Sequence, residues 1–340
     1  MEENATPVDR QSTGLDHRIA AGQRVTVTVP ATSANLGPGF DCMGLALGLQ
    51  DTLVVRTSDQ PGARVSVSGE GAADLPTDES HLVARTILDR WRELGVEAAG
   101  LELEATNRIP HGRGLGSSAA AIVSALAAAD ALLPAEAAAK AGGRDGLFEA
   151  AALLEGHPDN VAPAVYGGLT LSYETAQATL IDGGEPHRPS TMHTVALALH
   201  QDIVPVVAIP DVELSTKAAR GLLPQTVPHA HASANAARAG LLVTALTREP
   251  SLLHIGTEDF LHQSYRFAAM EESAGLIRSL RAQGYAAVVS GAGPTVLILA
   301  HGSEQAGSIA EAIERGVDEF GPWRVEIPGL DVSGAMVELH

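Results

Sequence analysis

The residues with the most chemical content form one short run, Pro110-His-Gly-Arg-Gly-Leu-Gly-Ser-Ser-Ala-Ala120. Gly112, Gly114 and Gly116 fall within five residues and lead directly into Ser117 and Ser118. A residue without Cβ lets the backbone curl close to a ligand, so that its N–H groups reach the ligand's oxygens. Where such a loop opens a helix, free N–H groups and the positive helix end converge on one point, which suits an anion and above all a phosphate. The hydroxyls of Ser117 and Ser118 can cap that helix or ligate a metal. Three familiar loops are excluded by the letters themselves. A Walker loop needs Gly-Lys-Ser/Thr, and the chain has only Lys140 and Lys217. A dinucleotide fingerprint needs a third glycine where Ser117 or Ala119 stands. A nucleophile elbow of the G-x-S-x-G type fails because Gly116 abuts Ser117. A plain glycine turn with Ser117 as N-cap also fits, but a cap does not require three glycines.

Phosphoryl transfer from ATP needs, besides a phosphate cradle, Mg²⁺ on a few oxygen ligands and a site that aligns the acceptor. Mg²⁺ keeps several waters, so one hydroxyl and one carboxylate suffice; Ser118 and Glu149 are the candidates. Glu149 is flanked by Phe148, Ala150 and Ala151, and a lone acid in so apolar a helix is costly to bury without a partner. A solvent-facing glutamate fits the same pattern. Asn35-Leu-Gly-Pro-Gly-Phe-Asp41 places an amide and a carboxylate on a glycine–proline loop. That loop could hold a substrate ammonium or hydroxyl, or be a turn capped by Asp41. Arg220 and Arg266 are candidates for an acceptor carboxylate, which a planar guanidinium grips with two parallel bonds; a solvated surface arginine is the plainer reading of each. His157-Pro-Asp-Asn160 makes a poor metal chelate, and His229-Ala-His231 is predicted to be a loop ahead of a helix. Cys42 reads as a small buried hydrophobe rather than a nucleophile.

These groups need a frame. Residues 101–106 alternate apolar and polar, the signature of a half-buried strand, and they precede the glycine loop. Residues 119–133 are almost wholly Ala, Leu, Ile and Val, which predicts a helix buried on most sides. Strands are predicted at 24–30, 43–56 (one or a pair), 64–68, 169–173, 195–199 and 203–209, with a loop at 31–41. Helices are predicted at 81–94, from about 145 to 154, at 215–223 and 229–246, and in pieces from 258 to 283. Residues 286–299 read as a hairpin of two buried strands around a glycine turn, followed by a helix at 303–320 and closing strands at 323–327 and 334–339. This mixed order is α+β with two sheets. Residues 1–22 are predicted to be a disordered extension, and the polar stretch 179–192 a boundary between domains at 23–190 and 191–340.

At 340 residues, 45% of them hydrophobic, the chain is long enough for two globular domains. Its net charge of −19 argues against nucleic acid or an anionic membrane as partner. The apolar run at 119–133 is broken by Ser124 and Asp130 and too short to span a bilayer. The single Cys42 excludes an internal disulfide and suits a reducing, cytoplasmic setting, and the polar, acidic first sixteen residues show no secretory signal.

Pro110 to Ala120 resembles the P-x-x-x-G-L-G-S-S-A-A loop of the GHMP kinases. The run from Ser33 to Leu47 and Gly-His-Pro-Asp-Asn-Val-Ala-Pro-Ala-Val-Tyr-Gly-Gly168 narrow the resemblance to the homoserine kinases within that superfamily, and Ser-Gly-Ala-Gly-Pro-Thr295 is similar to its third motif. The resemblance implies an S5-like N-terminal domain with a left-handed crossover, a ferredoxin-like C-terminal domain and a cleft between them for ATP and L-homoserine. It implies that Pro110, His111, Gly112, Arg113, Gly114, Leu115, Gly116, Ser117 and Ser118 wrap the phosphates. Ser118 and Glu149 would hold Mg²⁺, and His81 would stand at the adenine, where many relatives have Asn. Asn35 and Asp41 would meet the amino end of homoserine, and Arg220 and Arg266 its carboxylate. His157, Asp159 and Asn160 would line the acceptor site, with Thr216 near the reacting hydroxyl.

Mevalonate kinases carry an aspartate base eleven residues after the metal-binding glutamate; counted from Glu149 that position is Asn160, and an amide takes no proton at neutral pH. The implied reaction is therefore direct in-line transfer to L-homoserine, a step toward threonine, in a family where homodimers are common. Another small alcohol as acceptor, or a nucleotide-binding regulator without catalysis, are the alternatives. The Asp41, Arg220 and Arg266 set favours an amino acid, and retention of metal-ligand residues argues against the regulator.

Overall fold

The computed structural model describes residues 17–175, 191–316 and 322–340. The first half runs β1 (His17–Arg18), β2 (Arg24–Ala34), β3 (Met43–Ser58), β4 (Gly62–Gly69), α1 (Leu82–Glu93), β5 (Val96–Glu97) and β6 (Gly100–Asn107). It continues through α2 (Ser117–Ala131), α3 (Ala135–Ala141), α4 (Gly143–Glu155), α5 (Pro158–Tyr166), β7 (Leu169–Thr175) and β8 (Thr191–Leu197). The second half contains β9 (Ile203–Pro210), α6 (Thr216–Gly221), α7 (His229–Thr247), α8 (Leu253–Gly256), α9 (Gln263–Arg266) and α10 (Glu271–Ala282). After these come β10 (Ala286–Val289), β11 (Val296–His301), α11 (Ser303–Arg315), β12 (Trp323–Glu326) and β13 (Met336–Leu339).

The larger sheet has the order β13-β2-β3-β6-β4, antiparallel except for the β4–β6 pair, which α1 connects; β7 pairs with β3 and β8. Along β2 the residues Val25, Val27 and Val29 point inward and are fully buried. From Ala31 onward β2 is buried on both faces. The predicted strand or pair at 43–56 is one sixteen-residue strand, β3, whose start pairs with β7 and whose end pairs with β6. Helix α2 lies over this sheet. Its alanines leave no bulk, so α1, α4, α5 and β2 all pack closely around it. Two buried groups pin α1 to α2: Arg90 makes a bidentate pair with Asp130 (2.9 and 3.2 Å), and the Trp91 indole N–H donates to the Ala129 carbonyl at 3.0 Å.

The smaller sheet has the order β10-β11-β9-β12, antiparallel throughout. With α10 before β10 and α11 before β12, the succession β-α-β-β-α-β is the ferredoxin-like arrangement, with α6 to α9 inserted after its first strand. One face of this sheet packs on Leu276, Ile277 and Leu280 of α10 and on Ile309 and Ile313 of α11. The other face joins Leu242 and Leu246 of α7 and Leu253 of α8 in the core that continues into the first domain.

Three sequence expectations need correction. Residues 17–22 do not belong to a free extension: His17–Arg18 pairs with Val96–Glu97, and Ile19 is buried in the core. Residues 1–16 lie outside those described. The division at 190/191 also fails, because β8 hydrogen-bonds β7 and β13 returns to pair with β2. The final segment therefore closes the first sheet although it follows the second. Residues 176–190, which contain most of the expected boundary stretch, are outside those described. His229 and His231 stand in the first turn of α7 rather than in a loop before it.

Trp91 is 1% exposed and carries the α1–α2 contact. Trp91→Ala is expected to lower unfolding free energy by about 3–5 kcal/mol, through the cavity and the unpaired Ala129 carbonyl; urea titration measures it.

Candidate active site

The glycine loop joins β6 to α2, and its entry is held by Asp51 of β3, whose Oδ1 accepts the N–H groups of Arg108 (2.6 Å) and Ile109 (2.9 Å). At the helix start Gly116 adopts φ +71° and offers no side-chain cap, and no acidic residue stands in the first turn of α2. The first N–H groups of α2 thus have no intrahelical partner and no carboxylate of their own helix turn to neutralise them, the condition for an anion site. Gly114 (φ +79°) is obligatory for a second reason: a Cβ there would collide with the carbonyl of Ser290 on the glycine turn between β10 and β11. The Ser290 hydroxyl lies within hydrogen-bonding distance of the Gly114 carbonyl (2.7 Å) and of Ser33 Oγ (2.8 Å), tying both domains at the loop.

Around this point opens a cleft of about 690 Å³. It is lined by Gly112, Gly114, Gly116, Ser117 and Ser118 on one side, and by Asn35, Asp41, His157, Asp159, Asn160, Thr216, Arg220 and Arg266 on the others. A second, largely apolar cavity of about 840 Å³ shares Ser117 and Ser118 with it and is lined by Leu53, Leu82, Val83, Ala105, His81 and His111. Pro110 and Leu115 are buried beneath the loop and support it from below.

Glu149 is corrected. It is exposed on α4 and does not line the cleft, whereas Glu155, at the C-terminal end of the same helix, accepts a hydrogen bond from the Ser118 hydroxyl at 2.8 Å. The apolar flanks of Glu149 pointed to the wrong turn of the helix; Asn160 stands at the fifth position after Glu155. Desolvation holds the Glu155 carboxyl above the usual carboxylate range, and the Ser118 bond only partly offsets it. Its adjacency to Gly156-His-Pro-Asp-Asn160 was the one sequence signal for it. Arg113 is also corrected: its guanidinium turns from the loop to the second domain, donating to the carbonyls of Pro210 (3.0 Å) and Asp211 (2.8 Å).

The acceptor side is built on left-handed backbone. Asn35, Leu36 and Asp41 all have positive φ, which costs a non-glycine residue roughly 1–2 kcal/mol, so the loop must be braced. Asn35 Oδ1 accepts the Asp41 N–H (3.0 Å), and its Nδ2 donates to the Gly291 carbonyl (2.9 Å). The Asn235 amide donates to the Pro38 carbonyl at 2.9 Å. Asp41 and Arg220 form a bidentate, half-exposed pair at 2.8 and 3.0 Å. Arg266 differs. It is 2% exposed, its Nη1 donates to the Gly291 carbonyl (3.1 Å), its Nε has no partner, and among the described residues no carboxylate lies within ion-pair distance. Burial pulls its pKa down, with Arg220 adding to the effect.

His157 Nδ1 lies 3.1 Å from Asp159 Oδ1, and that bond raises the imidazole pKa. Asn160 Oδ1 accepts the Thr32 hydroxyl at 2.8 Å. Thr216 opens α6 beside the N-cap Ser215, whose hydroxyl accepts the Ala218 N–H at 3.1 Å. His81 caps α1: its Nδ1 accepts the Val83 N–H at 3.2 Å, which puts the proton on Nε2, a buried atom with no partner. Burial pushes the Cys42 thiol up to about 11, which leaves it unreactive at neutral pH.

Residues 81–168 match the model of the GHMP kinases N terminal domain, and residues 244–318 that of the GHMP kinases C terminal region. A homoserine kinase from Clavibacter michiganensis is 47% identical over 322 residues, covering 94% of this chain and 96% of the relative. One from Streptomyces coelicolor is 48% identical over 320 residues, covering 92% and 94%. The chain belongs to the homoserine kinase family. The crystal structure of homoserine kinase from Cytophaga hutchinsonii superposes with a TM-score of 0.76 at 29% identity, covering 93% of this kinase and 97% of that chain. A mevalonate diphosphate decarboxylase from Staphylococcus aureus, at 14% identity and a TM-score of 0.63, shares the fold over 93% and 98% of the two chains. No helix among the described residues is long and apolar enough to cross a membrane.

Burial, with His111 nearby, lowers the His81 pKa below its ordinary 6.5. The folded kinase therefore binds this proton less tightly than the unfolded chain does, so His81 contributes stability above that value and loses it as the pH falls. In His81→Asn, which keeps a good N-cap, the fall in melting temperature between pH 7 and pH 5 is expected to be shallower than in wild type.

Proposed function

We propose that this cleft transfers the γ-phosphoryl group of ATP to the side-chain hydroxyl of L-homoserine, giving ADP, O-phospho-L-homoserine and one proton. The observation that carries the choice of acceptor is Arg266, a buried guanidinium on the cleft wall with no carboxylate partner among the described residues. An α-amino acid supplies the missing carboxylate and brings its ammonium with it. The Asp41–Arg220 pair can open around such a zwitterion without net change of charge: Asp41 takes the ammonium, and Arg220 joins Arg266 on the carboxylate.

The triphosphate would lie against Gly112 to Ser118 and the start of α2, with the base in the neighbouring apolar cavity, where the Nε2–H of His81 offers a donor. Ser118 and Glu155 suit Mg²⁺ because a hydroxyl and a desolvated carboxylate converge at the phosphate loop. When bound, the ion supplies charge neutralisation on the phosphate oxygens. His157, Asp159, Asn160 and Thr216 would frame the acceptor hydroxyl. Asn160, engaged by Thr32, takes no proton, and the one carboxylate next to it, Asp159, is held by His157, so the reading is in-line attack without a carboxylate base. Positioning and electrostatic stabilisation then supply the rate.

Glu155→Ala is expected to cut turnover by about 10²-fold or more, on the scale of losing one electrostatic stabiliser, while Glu149→Ala stays near wild type; equal effects would remove Glu155 from the metal site. Arg220→Lys should raise the KM for homoserine by about tenfold or more, the scale of a lost charged hydrogen bond, with less change in kcat. An ADP-release screen over homoserine, serine, threonine, mevalonate and galactose tests the acceptor: homoserine should give the highest kcat/KM, and a preference for mevalonate or galactose would overturn the reading.

A further inference from the structure

His262 is completely buried and does not line the cleft, yet both arms of the acceptor site end on it. Its Nε2 lies 2.8 Å from the Gly37 carbonyl, in the middle of the Asn35–Asp41 loop. A carbonyl only accepts, so Nε2 carries the proton. Its Nδ1 lies 3.1 Å from Arg266 Nη1. A guanidinium only donates, so Nδ1 presents its lone pair. The two partners thus define one neutral tautomer, with each nitrogen used once.

The imidazole also stacks on Phe40 (centroids 5.1 Å apart), over which the guanidinium groups of Arg220 and Arg266 lie at 5.8 and 5.6 Å. Gly37 has little room to shift, because a Cβ there would strike the Thr257 carbonyl. Asp259 stands 3.7 Å from the ring, too far for a hydrogen bond. Its oxygens accept the N–H groups of Leu261, His262 and Gln263 and so hold the start of α9. The ring hydrogen-bonds both a strained loop of the first domain and a buried arginine of the second.

We infer that His262 is a positioning residue that holds Arg266 and the Asn35–Asp41 loop in register, and so sets the preference for acceptors that carry a carboxylate. This rests on the assignment of Arg266 to the acceptor carboxylate. Without the ring nitrogen Arg266 loses its hydrogen bond to His262, and without the ring N–H the Gly37 carbonyl loses its partner in the interior. Neither loss touches the phosphate loop or the base cavity.

The test compares kcat/KM for L-homoserine with that for 3-aminopropan-1-ol, the same amino alcohol without its carboxylate. His262→Phe keeps the stack on Phe40 and removes both hydrogen bonds. The homoserine-to-aminopropanol ratio should fall by about ten- to a hundred-fold, the range for one lost hydrogen bond to a charged group, through the KM for homoserine and with the KM for ATP unchanged. His262→Gln, which has both a donor and an acceptor, should recover part of the ratio. If His262→Phe does not fold, His262→Asn, too short to reach both partners, should lower the ratio in its place. A ratio equal to wild type, or equal losses for both acceptors, overturns the inference while leaving Arg266 in place. Wild type that does not discriminate between the acceptors, together with an unchanged ratio in Arg266→Gln, removes the Arg266 assignment and the inference with it.

Discussion

The structure turns on the contact of two glycine turns across the domain seam. Gly114 sits so close to the Ser290 carbonyl that no side chain fits between them. The Ser290 hydroxyl then ties the Gly114 carbonyl to Ser33 at the end of β2. The same turn receives Asn35 and Arg266 through the Gly291 carbonyl. The phosphate loop, the acceptor loop and the buried arginine are thereby referenced to one short stretch of backbone. Two substrates that must meet within bonding distance need such a common reference, because small misplacements are costly in an aligned transfer.

Electrostatics follow from the same arrangement. The chain carries −19 overall, yet the cleft gathers an uncapped helix start, Arg220 and Arg266. Asp41, Glu155 and Asp159 line the same cleft. A strongly acidic protein can accept a triphosphate because the local field at the helix start is made by backbone N–H groups, which the net charge does not describe. The acids have separate tasks: Asp41 is paired with Arg220, Asp159 with His157, and Glu155 accepts the Ser118 hydroxyl.

Topology explains why the cleft keeps its shape. The chain builds most of the first sheet, crosses to form the ferredoxin-like layer, and returns with β13 to pair with β2. Strand β2 is the one that leads into Asn35. Its first half is clamped by β3 on one side and by the last strand on the other, and its end at Ala31–Ala34 stays paired with β3 while the Thr32 N–H donates to the Leu115 carbonyl of the phosphate loop at 3.0 Å.

The sequence by itself determined the local devices. Glycine spacing announced the phosphate loop, alternation the strands β2 and β6, and an alanine run the buried helix α2, because each depends on residues adjacent in the chain. Its motifs also named most of the cleft: Asp41, Arg220 and Arg266 stand far apart in sequence but line the same cleft. What depended on direction and return was decided only by the tertiary structure. Whether Glu149 or Glu155 faces Ser118 depends on which side of α4 looks inward, and neighbouring residues of a short amphipathic helix do not disclose it. That Arg113 leaves the loop for Pro210 and Asp211, that His262 joins Gly37 to Arg266, and that β13 belongs to the first sheet are contacts between segments distant in sequence. No local pattern encodes them, because each exists only after packing has brought two surfaces together and closed them to water.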